Sequence, residues 1–412
     1  MITRTDDIFH VVPASGNWEA RHAAGRLSGP QNFLLGGREL WTDAQESLNG
    51  MPFASAVVKG TKAGVSAGCA VVKSAGHFPF GNQIGLEQQS VYAANHALFT
   101  ADLKWPAQTF IRRHFGLGSV RAPGAWTRFF CLPPAQQQAE GRAPYWQAIP
   151  KAPADKPLMI GHWHRPPPAI VLENAAGVRL EFGTGSDLWR WEYSLGHGPE
   201  SGSYKLMLDA GGITFIREPL MCCAEFAPPV RTYRLTWYAA WTQKHAAAPE
   251  PSEELVATGL DAQGNLDKAT LPAEGAPILL DFSTLPAQDL WRRAEHPLDM
   301  ARETRGACLC WETDSAQKRA RNAIRQLRTL RPGGGELVIR GATPGVCWDG
   351  SHLGKRPGSL LAHWDINALF DFSEWSRKQL GTAWEISAES AGPWAELPSV
   401  RGLFAPNGFE EE

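Results

Sequence analysis

The stretch Val178-Arg-Leu-Glu-Phe182 decides the fold class, because apolar and polar side chains alternate along it. Successive side chains of a β-strand point to opposite faces, so this alternation predicts a strand with one buried face. Short apolar or alternating segments, separated by Gly, Pro and Asn, continue from the start of the chain to about residue 245. This region is therefore predicted to be mainly β.

The predicted strands are numerous and closely spaced. Besides 178–182 they are 8–12, 32–35, 54–58, 68–72, 91–99, 109–115, 127–132, 169–173, 204–208, 213–217 and 233–241. Hairpin-sized gaps between so many strands predict a large antiparallel β-sandwich, supersandwich-like in its extent. The interval 133–168, rich in Gln, Ala and Pro, is interpreted as an excursion over the sheet.

The composition and patterning of the sequence change at His245-Ala-Ala-Ala-Pro-Glu-Pro-Ser-Glu-Glu254. This run of small residues, prolines and acids is typical of a linker. Beyond it, strands are predicted at 277–282, 307–311 and 336–340, and helices at 288–295, 315–331 and 366–380. The predicted organisation is a β-sandwich domain at 1–245, a linker at 246–254 and a smaller mixed α/β region at 255–412. The acidic residues 410–412 are interpreted as a frayed tail.

The two longer helices have recognisable ends. Apolar positions of 315–331 fall on one stripe, Asp314 or Ser315 is predicted to cap its start, and Pro332 with the glycines after it is predicted to end it. Asp365 is predicted to cap the helix 366–380, which Gly381 closes. These signals favour helices set between strands in the C-terminal region.

The helix 315–331 is also strongly basic. It carries no acid, and four of its cations, Lys318, Arg321, Arg325 and Arg328, share one face. Such a face could bind a polyanion, for example a sulfated or uronic-acid glycan or RNA. The alternative is that the face is solvated or pairs with a neighbouring acidic surface.

Overall charge and composition exclude several classes of protein. Lys and Arg total 40 against 42 for Asp and Glu, so a formal charge of −2 gives no general field for nucleic acid or an anionic membrane. The N-terminal residues lack the pattern of a secretory signal, and no run of 18 apolar residues could cross a bilayer, so a soluble protein is expected. Seven cysteines without framework spacing favour reduced thiols and a cytoplasmic location.

Tryptophan is abundant, at 17 residues, and lies repeatedly beside carboxylates and histidines. The clusters are Asp187-Leu-Trp-Arg-Trp-Glu192, Cys347-Trp-Asp349, His363-Trp-Asp365 and His162-Trp-His164. Indole plates next to acids suit the C–H faces and hydroxyl groups of sugars. Trp163, Trp189, Trp191 and Trp348 are therefore candidate stacking residues, although such rings can equally fill a core.

Three histidines are candidates for proton transfer. His162 and His164 share a face if the segment is a strand, and this spacing also suits a divalent metal site that Glu173 or His96 would complete. Without a metal, either could act as acid or base, because the pKa of imidazole lies near neutrality. His114 lies beside Arg112 on one face of 109–115, which would suit a carboxylated sugar, or an exposed basic strand.

Carboxylates and a further arginine complete the candidate set. Asp187 and Asp349 could supply the second proton-transfer group that glycoside chemistry needs, and Arg190 or Arg112 could orient the substrate. Asp349 in Trp-Asp-Gly is equally typical of a turn. The sequence contains no Walker loop, no dinucleotide-binding glycine pattern, no His-Glu-x-x-His and no Gly-x-Ser-x-Gly, which disfavours phosphoryl transfer, nicotinamide and serine hydrolase chemistry.

Two stretches resemble the galactose-mutarotase-like β-sandwiches of aldose epimerases, lyases and glycosidases. They are Ala101-Asp-Leu-Lys-Trp105 leading into Phe110-Ile-Arg-Arg-His-Phe115, and 178–182 leading into Asp187-Leu-Trp-Arg-Trp191. The resemblance covers residues 1–245 and implies that a histidine and a glutamate transfer protons. It assigns neither to a position in this chain, and it does not extend to the C-terminal region.

The leading hypothesis is a carbohydrate-active enzyme, a glycoside hydrolase, lyase or epimerase, that needs no cofactor and uses one of the three histidines with Asp187 or Asp349. A non-catalytic carbohydrate-binding or structural sandwich is the main alternative. The other is a metal enzyme with a divalent ion at His162 and His164. The expected partner is a carbohydrate, with no nucleic acid and no membrane, and the sequence leaves the oligomeric state unknown.

Overall fold

The computed structural model describes residues 1–27, 29–48, 51–79, 84–104, 115–131, 146–160, 169–184, 204–217, 232–243, 255–282, 290–293, 304–344, 346–347, 363–389, 396–404 and 409. The chain forms two compact units. The first comprises Met1–Cys131, Trp146–His245 and Asn407–Glu412, and the second comprises Leu132–Tyr145 and Ala246–Pro406. The predicted linker at 246–254 lies outside the described residues, and the division of the chain assigns it to the second unit.

The first unit contains a ten-stranded antiparallel sheet with the order β1-β2-β3-β4-β5-β11-β18-β17-β14 and with β6 paired to β5. Its strands are β1 (Ile2–Thr5), β2 (Ile8–Val11), β3 (Trp18–Ala23), β4 (Asn32–Leu35), β5 (Arg38–Leu48), β6 (Met51–Pro52), β11 (Phe115–Pro123), β14 (Leu158–Ile160), β17 (Tyr204–Asp209) and β18 (Gly212–Arg217).

A nine-stranded antiparallel sheet faces it, with the order β13-β12-β15-β16-β19-β10-β9-β8-β7. Its strands are β7 (Val57–Ser66), β8 (Cys69–His77), β9 (Gly85–Tyr92), β10 (His96–Lys104), β12 (Trp126–Cys131), β13 (Gln147–Ala148), β15 (Ala169–Asn174), β16 (Arg179–Thr184) and β19 (Thr232–Thr242). The predicted mainly β class, with a large sandwich and a smaller mixed region, is confirmed.

Aromatic side chains from both sheets form the core between them. Phe33 and Trp41 of the ten-stranded sheet stack with their ring centroids 3.9 Å apart, and Trp241 of the nine-stranded sheet lies 4.3 Å from Phe33. Phe182 completes the contact, with its ring 6.0 Å from that of Trp41. Burial of several such rings is the main stabilisation of a sandwich, because each removes a large apolar area from water.

The nine-stranded sheet is covered on both faces around β15. The sequence Ala169-Ile-Val-Leu-Glu173 is buried at every position, so both faces of this strand are shielded from solvent. On β16, Leu180 and Phe182 belong to the core between the sheets, while Arg179 and Glu181 occupy the opposite, outward face. Polar residues on this outward face are therefore buried.

The second unit is built on a four-stranded parallel sheet with the order β20-β21-β24-β27. The strands of this sheet are β20 (Ala257–Thr258), β21 (Ile278–Asp281), β24 (Gly335–Arg340) and β27 (Trp384–Glu389). The helices of the unit are α1 (Asp314–Leu330), α2 (Ile366–Leu380) and α3 (Pro398–Arg401). Two short strand pairs join β22 (Leu290–Arg293) to β23 (Thr304–Leu309) and β25 (Val346–Cys347) to β26 (His363–Trp364). Single 3₁₀ turns occur at Phe53–Ser55 and Lys268–Thr270.

The two longer helices alternate with strands of this parallel sheet. α1 lies between β21 and β24 in the chain and α2 lies between β24 and β27, an order typical of crossovers between parallel strands. Phe282, directly after β21, contacts Phe372 of α2 at 6.2 Å between ring centroids, and Trp311 lies 4.6 Å from Phe372. Asp281, Arg340 and Glu389 are cross-strand partners and so share one face of the sheet.

Several local predictions are wrong in their details. The segment 288–295, predicted as a helix, contains strand β22, and 91–99 is two strands, β9 and β10, joined by a tight turn in which the amide of Ala93 donates to the carbonyl of His96. Residues 53–55 form a 3₁₀ turn where a strand was predicted to begin at 54. Within 109–115, all but Phe115 lies outside the described residues.

The predicted N-terminal helix caps are wrong as well, whereas Gly381 ends the helix 366–380 as predicted. α1 begins at Asp314 with Thr313 at the N-cap position and without a side-chain cap hydrogen bond. Asp365 occupies the N-cap of α2, yet its side chain does not cap the helix. Its Oδ2 instead accepts the backbone amide of Trp311 at 2.9 Å, so this fully buried carboxylate ties the start of α2 to the segment before α1.

Within the described part of the chain, no helix has the length and apolar character that a membrane span requires.

Candidate functional site

The register of the nine-stranded sheet brings many strand ends together at one end. Lys104, the last residue of β10, pairs with Thr232, the first residue of β19. Ala169 at the start of β15 pairs with Gly183 near the end of β16, and Cys131 at the end of β12 pairs with Ile170. The segments joined to these strands therefore begin or finish side by side.

The ten-stranded sheet has a matching end. Arg217, the last residue of β18, pairs with Tyr204 at the start of β17 and with Gly118 near the start of β11. Ile160 at the end of β14 pairs with Leu206 of β17. Four connections run between these two ends of the sheets: 105–114, 161–168, 185–203 and 218–231.

Three of these connections contain most of the residues predicted to form a site. Arg112 and His114 are in the first, His162, Trp163 and His164 are in the second, and Asp187, Trp189, Arg190 and Trp191 are in the third. All nine lie outside the described residues, as do Trp348 and Asp349 of the second unit. The structure thus gives the positions of the strand ends that these connections join, and the roles of the residues stay predictions.

A buried tyrosine and a buried carboxylate meet on the outward face of the nine-stranded sheet. The hydroxyl of Tyr238 donates to Oε1 of Glu181 at 2.6 Å, and neither residue is exposed. A Cβ at Gly183 would lie 2.2 Å from the Tyr238 ring, so only glycine lets this ring cross β16 to reach Glu181. The hydrogen bond therefore gives both of these buried polar groups a partner.

An ion network lies on the same face. Nε of Arg128 donates to Oε1 of Glu173 at 2.7 Å, and Nε of Arg179 donates to Oε2 at 2.6 Å. Both guanidinium groups lie over the indole of Trp146, at 4.4 and 4.9 Å from the ring centroid. Each cation therefore has both a carboxylate and an aromatic partner.

This network determines the charge state of Glu173. Burial raises the pKa of Glu173, but the hydrogen bonds from Arg179 and Arg128 lower it by a larger amount. The pKa of this carboxyl therefore lies below its ordinary value. Both oxygens of the carboxylate that the sequence predicts to complete a metal site are thus bonded to guanidinium groups. Among the residues with described positions, no group of three or more His, Cys, Asp or Glu side chains could hold a metal ion.

The second unit carries a row of charges at the carboxyl edge of its parallel sheet. Asp281, Arg340 and Glu389 end adjacent strands in register. The guanidinium of Arg340 donates from Nε to Oε1 of Glu389 at 3.0 Å and lies 3.6 Å from Oδ2 of Asp281. Ligands of parallel α/β sheets commonly bind outside this edge, although a charge row across three strands also simply holds them in register.

Most described tryptophans have structural positions. Of the nine whose burial is described, seven are buried and only Trp146 and Trp375 are half-exposed; the buried ones are Trp18, Trp41, Trp126, Trp237, Trp241, Trp311 and Trp384. The abundance of tryptophan therefore reflects core packing to a large extent. The rings predicted to bind sugar, Trp163, Trp189, Trp191 and Trp348, are not among these nine.

The polar residues of the outward face were not predicted from the sequence. Arg179, Glu181 and Tyr238 alternate with apolar neighbours, which is typical of a solvent-facing side. The available signal was the uninterrupted apolar run at Ala169-Ile-Val-Leu172, because a strand that is apolar on both faces indicates that the outward face is covered. Polar side chains on adjacent strands of that face must then find partners.

No protein-family model matches the chain. No curated protein matches it either. Among solved structures, the chain is similar to the Slr1438 protein of Synechocystis sp. PCC 6803, with 8% identity and a TM-score of 0.38 over 59% of this chain and 100% of that chain.

Two enzymes show similar levels of likeness. α-N-acetylgalactosaminidase NagBb of Bifidobacterium bifidum has 11% identity and a TM-score of 0.32 over 94% of this chain and 59% of that chain. A mutant of the heparan sulfate lyase HepC from Pedobacter heparinus has 8% identity and a TM-score of 0.31 over 58% of this chain and 36% of that chain. The chain thus spans about 59% and 36% of the lengths of these enzymes.

These neighbours include a glycosidase and a polysaccharide lyase, which are carbohydrate-active enzymes. With identities of 8% to 11% and TM-scores of 0.31 to 0.38, the likenesses assign neither a family nor an activity to this chain. The galactose-mutarotase-like resemblance stays a prediction.

Proposed function

We propose that the chain is a carbohydrate-active enzyme that works by acid/base chemistry at the end of the sandwich where four connections join the two sheets. The observation that carries this proposal is topological: the register places the anchors of three residue-rich connections at one end of each sheet. Loops held by a rigid β-scaffold are the usual carriers of binding and catalytic residues.

The residue types in these connections suit sugar chemistry. A histidine among His114, His162 and His164 acts as one proton-transfer group, and Asp187 acts as the other. Arg112 or Arg190 orients the substrate, and the indoles of Trp163, Trp189 and Trp191 stack against its apolar face. Trp348 and Asp349 belong to the second unit, and their predicted roles in substrate stacking and proton transfer stay predictions.

A second candidate is a non-catalytic carbohydrate-binding or structural sandwich. It is favoured by the burial of seven of the nine tryptophans with described burial, because these rings stabilise the fold without reaching a ligand. The two candidates differ in turnover. Both predict sugar contact at Trp189 if the protein binds sugar, but only an enzyme needs His162 or His164 for product formation.

The deciding experiment combines an activity screen with matched variants. Neutral and anionic oligosaccharides are incubated with the protein, and reducing ends, unsaturated products and anomeric exchange are measured. His162→Ala, His164→Ala and His114→Ala are expected to include one variant that loses at least about 100-fold in kcat with an unchanged melting temperature. His10→Ala, on β2 and outside these connections, serves as the control and is expected to retain activity.

Two outcomes would contradict the proposal. If sugar binds but no oligosaccharide is turned over, the non-catalytic candidate is correct. If the activity is present and all three histidine variants retain it, the site lies elsewhere. Trp189→Ala separates stacking from packing. A higher KM with an unchanged melting temperature supports stacking, whereas a fall in melting temperature indicates a core position.

A further inference from the structure

A basic surface covers the outer side of helix α1. Its four cations, Lys318, Arg321, Arg325 and Arg328, are called the basic face here. Three of them are exposed, and Arg321 is half-buried. They recur at intervals of three or four residues, so they share one side of the helix over about 15 Å.

The four cations have no anionic partners among the described residues. Two neighbouring arginines differ. Arg331, directly after α1, donates to the carbonyl of Pro272, and the backbone of Arg319 is packed against Gly264. On that side of α1, Asn322 and Gln326 bond to Asn265. The basic face is therefore a patch of positive charge on a chain whose net charge is −2.

An aromatic side chain on α2 orders two of these cations. The guanidinium groups of Arg321 and Arg325 lie 5.2 and 5.3 Å from the ring centroid of Trp375, whose ring in turn stacks on Phe372 at 6.5 Å. A guanidinium held over an indole keeps its in-plane N–H donors available. Those donors form a fork that matches the oxygens of a carboxylate or sulfate.

The same geometry disfavours nucleic acid. Single-stranded nucleic acids need open aromatic faces on which bases stack, but Trp375 is already in contact with two guanidinium groups and Phe372. The sequence pI of about 6.6 also lacks the strong positive charge of typical nucleic-acid-binding domains. The basic face is better suited to a chain that carries carboxylate or sulfate groups at intervals.

We propose that the basic face binds the carboxylate or sulfate groups of an anionic polysaccharide. The basic face lies within the second unit, and the proposal requires no residue of the sandwich. Binding here needs no turnover, so its test is independent of the proposed activity.

The test measures binding of three labelled probes to the full chain by fluorescence anisotropy at 50 and 200 mM NaCl. The probes are a heparin hexasaccharide, a galacturonate hexasaccharide and a single-stranded RNA 12-mer. At least one of the glycans is expected to bind more tightly than the RNA, and its affinity is expected to fall with salt because the contacts are ionic.

Two double variants separate binding from packing. Lys318→Gln with Arg328→Gln removes two exposed charges without touching Trp375, and it is expected to weaken glycan affinity about tenfold with an unchanged melting temperature. Arg321→Gln with Arg325→Gln is expected to weaken it at least as much. The matched control is Lys151→Gln with Lys156→Gln, two exposed lysines of the first unit, which is expected to bind as the unaltered chain does.

Three results would overturn the proposal. These are the absence of saturable binding to either glycan at 50 mM NaCl, tighter binding of the RNA than of both glycans, and losses in the Lys318 and Arg328 variant no larger than those in the control. None of them bears on turnover at the sandwich, so the two proposals can fail separately.

Discussion

At the scale of single residues, a buried histidine links the two sheets of the sandwich. His22 of β3 is hydrogen-bonded to the hydroxyl of Tyr92 of β9 within the core. Burial lowers the pKa of His22 from 6.5 to about 3, because the charged imidazolium loses its hydration there. In the unfolded chain the same imidazole takes up a proton near its ordinary pKa.

This difference predicts that acid destabilises the sandwich through His22. Since the folded pKa is depressed, the stability is complete above pH 6.5 and is lost progressively as the pH falls towards about 3. Each pH unit below 6 removes about 1.4 kcal/mol relative to a variant without this group. Urea denaturation at pH 7, 6, 5 and 4 of the unaltered chain and of His22→Gln measures the difference in slope.

Tyr92→Phe is the control for His22. It removes the hydrogen bond but keeps the imidazole buried, so its stability is expected to show the same dependence on pH as the unaltered chain. Parallel pH profiles for His22→Gln and the unaltered chain would show that burial of this imidazole does not cause the effect.

Gly183 gives a second prediction at this scale. In Gly183→Ala the new Cβ would meet the fully buried ring of Tyr238, which cannot keep its contact with Glu181. The free energy of unfolding is expected to fall by about 2 kcal/mol, as for other overpacked sites. Gly64→Ala on β7 is the matched control, since a Cβ there meets nothing within 4 Å, and chemical denaturation of both variants should show a loss only at Gly183.

At the scale of secondary structure, periodicity predicted the longer elements well. The helix 366–380 and the strand 32–35 are confirmed with the same bounds, and 315–331 is displaced by one residue. The failures have physical causes. The segment around Leu290–Arg293 is too short for its periodicity to separate a helix from a strand, and the turn between β9 and β10 is formed by Ala93, Ala94 and Asn95, without glycine or proline.

The charge row of the parallel sheet gives a prediction at this scale. Arg340→Met leaves Asp281 and Glu389, which are 12% and 11% exposed, without their shared cation. Mostly buried carboxylates that lose a cationic partner are costly, and the partial exposure of Arg340 moderates the cost, so a loss of about 2 kcal/mol is expected. Thermal and urea denaturation measure it.

A compensating variant tests the cause. Adding Asp281→Asn and Glu389→Gln to Arg340→Met removes the two carboxylate charges that lost this cation, and it is expected to restore most of the stability. Arg38→Met, at an exposed position of β5, should change stability by no more than about 0.5 kcal/mol. If the triple variant is no more stable than Arg340→Met, the loss comes from packing of the arginine stem.

At the scale of the whole molecule, the class of each unit could be predicted and the pairing of strands could not. Alternation in 178–182 and the helices between strands after residue 255 indicate local structure, but they do not specify that β19 lies between β10 and β16. Such long-range neighbours bring Glu181 to Tyr238 and the strand ends at Lys104 and Thr232 together. The predicted site was chosen from residue types alone. Local sequence patterns do not indicate which segments start or finish at the same end of a sheet.

The return of the chain to the first unit gives the last prediction. The frayed tail predicted at 410–412 lies outside the described residues. Phe409, directly before it, is 7% exposed, and its ring contacts that of Trp18 at 5.7 Å within the aromatic core of the sandwich. Phe409→Ala is expected to lower the free energy of unfolding by about 3 kcal/mol, because a buried phenyl ring leaves a cavity. Val256→Ala, at a position 80% exposed, is the control and should change it by less than about 0.5 kcal/mol. Equal urea midpoints for both variants would show that this contact contributes nothing to the stability of the sandwich, whereas a loss confined to Phe409→Ala would show that residues after the α/β segment complete the β-sandwich core.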